Sequence, residues 1–383
     1  MKREVLPRRV RVLHFIHTMA YGGVETAVLN WVRTLDPERF EVHLACFANP
    51  GGTERPFIDA AHRLGLKVST VPWHRGKPVL RAARALAELL RERSIDIVHA
   101  HNTYADLVTV VAARKVPVKT ITTAYVWFEY DSWRRNLLQR IDAAVMRRFD
   151  CVTAHCEHTR TETIKRGFHD QAVRTLICGF ETHRVELSTE ERNRRRAGHG
   201  AAPGDPVLVN VARLYPEKAQ DFLLECFARI LENRPDAWLW LAGVGPLEGE
   251  LRYAAQRMGV ANRVRFLGFV ADLPSLLALA DVQVHPARIE GVPLAICEGM
   301  AAGLPIVASE VGGLPEVLAG GTNGVLVPGL DAKAFSHAAL RVIDDRDHAQ
   351  HMGQRARRFI ENDYSLRSAV RRVEATYAEL VPC

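Results

Sequence analysis

The sequence contains no run approaching the ~20 consecutive apolar residues that a membrane-spanning helix needs, so it offers no candidate for one. Its seven cysteines (Cys46, Cys151, Cys156, Cys178, Cys226, Cys297 and Cys383) are scattered, odd in number and not at metal-binding spacing. Neither a disulfide framework nor a zinc cluster is indicated, and free thiols in a reducing cytoplasm are expected. The basic opening, residues 1–11, runs directly into a strand-like stretch. No apolar segment with a small-residue cleavage site follows, so no signal peptide is expected and a cytoplasmic location is. Solenoid periods and low-complexity tracts are also missing.

What is present is length enough for two domains. The chain has 383 residues, 48% of them apolar, so each half can bury a core of its own. Residues 1–185 carry 29 Lys and Arg against 19 Asp and Glu, a net +10, whereas the remainder is at −3. A basic first half suits an anionic lipid surface or an anionic saccharide as well as it suits plain solvation. Nucleic acid is not expected as a partner, because no recognised binding motif accompanies the charge.

Short runs rich in Val, Ile and Phe alternate with helical patterns. Strands are expected over 10–17, 41–48, 67–71, 95–99, 118–123, 151–155 and 173–177, and again over 207–212, 237–242, 264–267, 282–285, 305–308 and 324–327. This alternation indicates parallel sheets covered on both faces, an α/β protein of two doubly wound domains. Residues 186–206 break the rhythm with charge and a closing Gly, Pro and Asp cluster, and read as a linker. The domains are therefore placed at 1–185 and 186–365, with a helix over 366–383 returning to the first. Two such domains in series are expected to leave a cleft beyond the carboxyl ends of their strands.

Four segments carry chemistry. The densest runs from Arg288 to Pro305, with Glu290 and Glu298 eight apart. That spacing is a little over two turns and would put both on one side if the stretch were helical. Gly291 and Pro293 precede a helix whose first N–H groups attract phosphate. A deeper carboxylate there can accept from a ribose diol. The second segment holds Arg213 and Lys218, five apart across a strand-to-helix turn, a pair able to converge on one diphosphate. The third is Gly22-Gly23 before a helix, where adjacent glycines permit positive φ and close approach of a ligand. The fourth is His99-Ala-His101 at a strand end. The two histidines are read as facing opposite ways and without a third ligand, so zinc is not expected.

Two further strings are set aside. Gly243-Val-Gly245 has its next glycine misplaced for a dinucleotide loop. Asp345-Arg-Asp347 has Asp-x-Asp spacing but sits between late helices, and reads as a solvated turn.

Residues 288–305 resemble the Glu-seven-residues-Glu signature of the family-four retaining glycosyltransferases. The similarity continues through Pro305–Ser309, Gly312-Gly313-Leu-Pro-Glu316 and Asn323-Gly324, and reaches Met352-Gly-Gln-Arg-Ala-Arg. Arg213 and Lys218 resemble the family's Arg and Lys pair, with Ala219 standing where Gly is usual. The resemblance implies the GT-B fold, two Rossmann-like domains facing a cleft. It also implies retaining transfer of a hexose-type sugar from a nucleotide diphosphate sugar, with no metal or other cofactor. Catalytic roles would fall to His101, Glu290, Arg213 and Lys218, and His99 would pack. Donor binding would involve Gly22, Gly23, Arg213, Lys218, Glu290, Val292, Pro293, Leu294, Ala295 and Glu298. The acceptor is expected to be a saccharide or lipid-linked glycan, as in bacterial surface polysaccharide synthesis, met mainly by the first domain. There an aromatic and basic stretch, 125–135 with Arg140, Arg147 and Arg148, suits a saccharide platform or peripheral contact with a membrane. A nucleotide-sugar epimerase or hydrolase of related architecture, or a non-catalytic binding protein, are the alternatives.

Overall fold

The computed structural model describes residues 8–18, 21–74, 76, 78–127, 133–179, 181 and 185–381. The chain divides into two compact units: residues 1–179 together with 366–383, and residues 180–365.

The first unit is built on seven parallel strands: β1 (Val10–Ile16), β2 (Phe40–Ala48), β3 (Val68–Pro72), β4 (Ile97–His101), β5 (Lys119–Ala124), β6 (Cys151–Ala154) and β7 (Val173–Thr175). They lie in the order β3-β2-β1-β4-β5-β6-β7. The chain winds one way from β1 to β3 and the other way from β4 onward, so the topological switch falls between β1 and β4. Such a switch is where open parallel sheets bind ligands. One face packs Leu13, Phe15, Val98 and Ala100 against Leu86, Leu90, Val108 and Ala112. The opposite face packs Val10, Val12, Ile97 and Ile121 against Trp31, Val370, Val373 and Tyr377. Residues from both sides of β1 and β4 are buried, as strands covered on two faces require.

The second unit repeats the plan with six parallel strands: β8 (Val207–Val211), β9 (Trp238–Ala242), β10 (Val264–Gly268), β11 (Val282–His285), β12 (Ile306–Ser309) and β13 (Val325–Val327). The order is β10-β9-β8-β11-β12-β13, with the switch between β8 and β11.

One segment differs from the sequence reading and another agrees with it. Residues 186–206 are not a bare linker, because Thr189–Gly198 is a helix. Ser188 caps it by accepting from the Glu191 N–H, Glu190 and Glu191 occupy its first turn, and Arg195 and Arg196 its last. Those are ordinary start and stop signals. Arg196 is fully buried and pairs with Asp281 at 3.1 Å, while Arg192 reaches the same carboxylate at 2.7 Å. The helix is thus part of the second unit's body. At the other end, the helix Leu366–Leu380 belongs to the first unit, where Glu374 accepts from the Asp36 N–H at 2.9 Å.

Candidate functional site

The charged segments of the second unit meet at its switch point. β8 ends at Val211, and the chain turns through Arg213 and a short 3-10 turn, Pro216–Lys218, into the helix Gln220–Asn233. Ala219 closes that turn in the left-handed region at φ 50°, ψ 37°. The Lys218 ammonium reaches Glu290 Oε2 at 2.6 Å. His285, the last residue of β11, donates from Nε2 to the same oxygen at 2.9 Å, and the Gly291 N–H donates to Oε1 at 3.1 Å. Burial alone would raise the Glu290 pKa. The adjacent Lys218 and His285 reverse that and hold it down at about 2, so the group remains a carboxylate across any working pH. The His285 Nδ1 is buried with no partner among the described residues.

Arg288 explains why the two loops are in register. Its N–H donates to the Glu217 carbonyl at 2.9 Å, and its guanidinium grips Asp221 at 2.9 and 2.7 Å and the Pro216 carbonyl at 2.7 Å. The loop after β11 is thereby tied to the turn after β8. Two glycine pairs back the same loops. A Cβ on Gly312 would lie 1.8 Å from the Glu290 carbonyl oxygen, and one on Gly313 would lie 2.6 Å from that of Gly291. Gly243 and Gly245 would meet the Ala212 and Leu214 carbonyls at 2.0 and 2.2 Å. The second pair serves close backbone packing behind the Arg213 turn.

Arg213 and Lys218 share one turn but not one target. The Arg213 side chain is 50% exposed, lies 4.8 Å over the Tyr215 ring and touches Glu217 at 3.4 Å, while Lys218 faces Glu290. Nor does helical spacing relate Glu290 to Glu298: the helix starts only at Leu294, capped by Pro293, so Glu290 lies in the loop. Val292, Pro293, Leu294 and Ala295 form the approach and first turn, where N–H groups have no intrahelical acceptor. Glu298 follows one turn later. It is half-buried, has no hydrogen-bond or ion-pair partner among the described residues, and burial pushes its carboxyl up to about 7. Asp345 caps the helix Arg346–Asp363 by accepting from the His348 N–H at 3.0 Å.

In the first unit, Gly22 and Gly23 follow β1. Gly22 is extended at φ −160° and Gly23 opens the helix Gly23–Thr34, so neither uses the positive φ that the pair was expected to exploit. The Gly22 N–H instead donates to the buried Glu25 carboxylate at 3.0 Å. Ala20, beside them, lies outside the described residues, as do Phe128, Glu129 and Tyr130 of the aromatic stretch.

His99 and His101 are two apart on β4 and share a face, as strand geometry requires; the reading that opposed them is corrected. Their ring centroids are 4.4 Å apart. A third imidazole, His14 from β1, stacks on His101 at 5.3 Å, and the three rings bring ligand-type nitrogens within 4.8 Å of one another. The expectation of no third histidine is therefore also corrected. Every ring nitrogen of the trio is already hydrogen-bonded. Burial drives all three pKa values down, His14 to about 3 and the others well below the ordinary range, so each ring is neutral with one donor and one acceptor.

That neutrality fixes every proton in the network. Thr153 Oγ1 donates to the Thr122 carbonyl at 3.1 Å, so it must accept from Thr123 Oγ1 at 2.8 Å. Thr123 then accepts from His99 Nε2 at 2.7 Å, and His99 Nδ1 accepts from the Tyr377 hydroxyl at 2.8 Å. Tyr377 accepts from His14 Nε2 at 3.1 Å, His14 Nδ1 accepts from His101 Nε2 at 3.1 Å, and His101 Nδ1 accepts from Tyr125 at 2.8 Å. The result is a one-way chain from Tyr125 to the Thr122 carbonyl, with the last helix supplying its middle link. Sequence reasoning missed His14, Tyr377 and His285; it singled out Arg288 and Tyr125 within their segments but gave them neither of these roles. The available signal for His14 was a polar residue on the inward face of an otherwise apolar strand.

Comparison with known proteins identifies the family. Residues 191–359 match the profile described as glycosyl transferases group 1, and residues 21–184 match that of glycosyltransferase family 4. A Corynebacterium glutamicum GDP-mannose-dependent monoacylated alpha-(1-6)-phosphatidylinositol monomannoside mannosyltransferase is 29% identical over 90% of this chain and 91% of its own. An Escherichia coli UDP-Gal:alpha-D-GlcNAc-diphosphoundecaprenol alpha-1,3-galactosyltransferase is 25% identical, over 97% and 98%. Among solved structures, Anabaena HepE in complex with UDP-glucose superposes with a TM-score of 0.85 at 21% identity, covering 97% of this chain and 100% of that one. The sucrose-phosphate synthase of Thermosynechococcus elongatus does so at 0.79 and 19%, covering 97% and 99%. These two likenesses establish the GT-B fold.

Proposed function

The chain belongs to the group 1, family-four glycosyltransferases, and we propose that it moves a hexose-type sugar from a nucleoside diphosphate sugar to a glycan or lipid-linked acceptor, retaining the anomeric configuration and using no metal ion. The observation that carries this reading is the Lys218–Glu290–His285 cluster at the β8/β11 switch point, beside the N-terminus of the helix Leu294–Ala302. The Lys218 ammonium and the first-turn N–H groups suit a diphosphate whose charge grows as the sugar leaves. Arg213, on the same turn and half in solvent, is the second cation available to it. Preorganised cations and N–H dipoles do for a leaving diphosphate what a metal ion does elsewhere.

Glu290 stays ionised, so its role is to accept from sugar hydroxyls, and it is not the acid of the reaction. Glu298 has a carboxyl with no partner among the described residues, suited to a ribose diol. The leaving phosphate oxygen would help deprotonate the acceptor on the same face of the sugar, so that the protein supplies position and charge stabilisation. His101, both of whose ring nitrogens are engaged, acts in this scheme as a positioning residue. Relatives that carry GDP-mannose or UDP-galactose in their names, with phosphatidylinositol or diphosphoundecaprenol acceptors, support a cytoplasmic role in building a bacterial surface glycan or glycolipid.

A thermal-shift panel of UDP, GDP and their sugars, with and without chelator, tests this on wild type and Lys218→Ala. One nucleotide series should raise the melting temperature regardless of chelator, equivalent to ~2.7 kcal/mol at a hundredfold excess over the dissociation constant. Lys218→Ala should lose most of that shift and cut turnover by well over tenfold. No shift with any nucleotide would sink the donor assignment. Activity lost in chelator and restored by magnesium would remove the metal-free clause, and an inverted anomeric product would remove retention.

A further inference from the structure

The helix Trp133–Met146 presents its apolar side chains outward. Trp133 is 68% exposed, Leu137 46% and Ile141 44%, and Leu138 is exposed beside them at 37%. Trp133, Leu137 and Ile141 recur every fourth residue, which makes one continuous stripe on a helix. Ala143 and Met146 are buried, and Asp142 is held inward by the Thr103 hydroxyl at 2.9 Å. At about 100° per residue these three lie on the side opposite the stripe. The helix therefore has one face packed on the unit and a second, apolar face turned to solvent.

The charges around that outer face decide what it fits. Arg134 and Arg140 fall just beyond its two edges, and both are exposed. Residues 133–148 contain five arginines and a single acidic residue, Asp142, which points inward. An apolar stripe bordered by arginine on both sides, opening with a tryptophan, has the composition of a helix that lies in the headgroup layer of a membrane. Juxtaposed arginines add attraction to anionic headgroups. A second copy of this chain would set these arginines against one another, so charge complementarity disfavours a symmetric contact through this face. No helix among the described residues is long and apolar enough to cross a membrane, so the contact would be peripheral.

We propose that the outer face of the helix Trp133–Met146 docks the protein on an anionic lipid bilayer, with Trp133, Leu137 and Ile141 entering the interface and Arg134 and Arg140 meeting the headgroups. The proposal deepens the acceptor reading by naming the surface through which a lipid-linked acceptor would be approached. It stands on the helix alone: nucleotide binding without vesicle binding would overturn it and leave the transferase reading intact.

The test is co-sedimentation of the full chain with vesicles of phosphatidylcholine containing one-third phosphatidylglycerol, against vesicles of phosphatidylcholine alone, at low and high salt. Wild type should bind the anionic vesicles at least about tenfold more than the neutral ones, and lose binding as salt screens the arginines. The double variants Leu137→Glu with Ile141→Glu, and Arg134→Gln with Arg140→Gln, should each lose most of that binding. All these side chains are exposed, so the melting temperature should not fall; it is measured for both variants. Three results would overturn the proposal: wild type left in the supernatant with anionic vesicles, both double variants binding like wild type, or a wild-type dimer that Leu137→Glu converts to monomer.

Discussion

The polar cluster of the first unit and that of the second solve opposite problems. Around β1 and β4, three imidazoles, the Tyr377 phenol and two threonines are buried and, with the half-buried Tyr125, are uncharged and joined in one directed chain, with no ring nitrogen left over. Around β8 and β11, the cluster is charged and incomplete. Lys218 and Glu290 form a close pair, but among the described residues neither the His285 Nδ1 nor Glu298 has a partner, and half of the Arg213 side chain is in solvent. A saturated buried network gains rigidity, because each group is costly to leave unpaired. A site with unspent hydrogen-bonding capacity pays for it in stability and gains the means to hold a ligand. The first unit's histidines are thus read as scaffold for the end of β4, and the second unit's charges as the binding chemistry.

The sharpest way to break this comparison is at Tyr377. Tyr377→Phe keeps the ring and its packing but removes the hydroxyl, leaving a donor on His14 and an acceptor on His99 unpaired in the core. The expected loss is about 1–3 kcal/mol of stability, read by chemical denaturation. Arg213→Ala, at a half-exposed side chain of the open cluster, should stay within about 0.5 kcal/mol. If Tyr377→Phe is as harmless as Arg213→Ala, the directed chain does not hold the first unit together.

Glu298 tests the open cluster. Burial raises its carboxyl to about 7, so in the free protein it carries a proton below that pH. A ribose diol donating two hydrogen bonds prefers the carboxylate, so nucleotide binding should expel the proton. Affinity for the favoured nucleoside diphosphate should therefore rise as pH rises, by up to about tenfold per unit below about pH 7, and level off above it. The linked stability has the opposite sign. The raised pKa contributes stability that is complete below the ordinary carboxyl range, about 4.5, and is lost as pH climbs through about 7. Glu298→Gln should flatten both profiles in calorimetry and thermal melts. A wild-type affinity profile identical to that of Glu298→Gln would remove Glu298 from the ribose.

Much of the architecture was legible in advance, because fully buried parallel strands announce themselves as apolar runs; each of the thirteen lies within two residues of its expected bounds. The Thr189–Gly198 helix was not recognised because the Gly and Pro cluster after it outweighed Ser188 and the acidic first turn before it. Within the candidate site, Lys218 and Glu290 could be named from their motifs, but not their contact with each other or with His285, since a loop's register depends on ties such as Arg288 to Asp221. The histidine chain was least visible. Its middle link joins residues 363 positions apart, and nothing local in Leu366–Leu380 distinguishes Tyr377 from any other core aromatic.

The smallest expected effect belongs to Ala219, and it separates the two clusters in kind. The first unit's cluster depends on side-chain hydrogen bonds, whereas Lys218 is aimed by a backbone turn that ends in the left-handed region at Ala219. A residue with a Cβ gives up about 1–2 kcal/mol there. The Ala219 methyl is fully buried, however, and removing it forfeits about 0.8 kcal/mol of burial. Greater freedom of the unfolded chain costs glycine a further 0.4–1 kcal/mol or so. These contributions nearly cancel, so Ala219→Gly should change stability by less than about 0.5 kcal/mol and leave nucleotide affinity within about twofold of wild type. Ala219→Val keeps the strain, adds β-branching and two methyl groups in a filled space, and should cost about 2 kcal/mol or more. Equal stabilities for the glycine and valine variants in the same denaturation series would show that the turn is not held in the left-handed conformation, and that Lys218 is aimed by something other than the backbone.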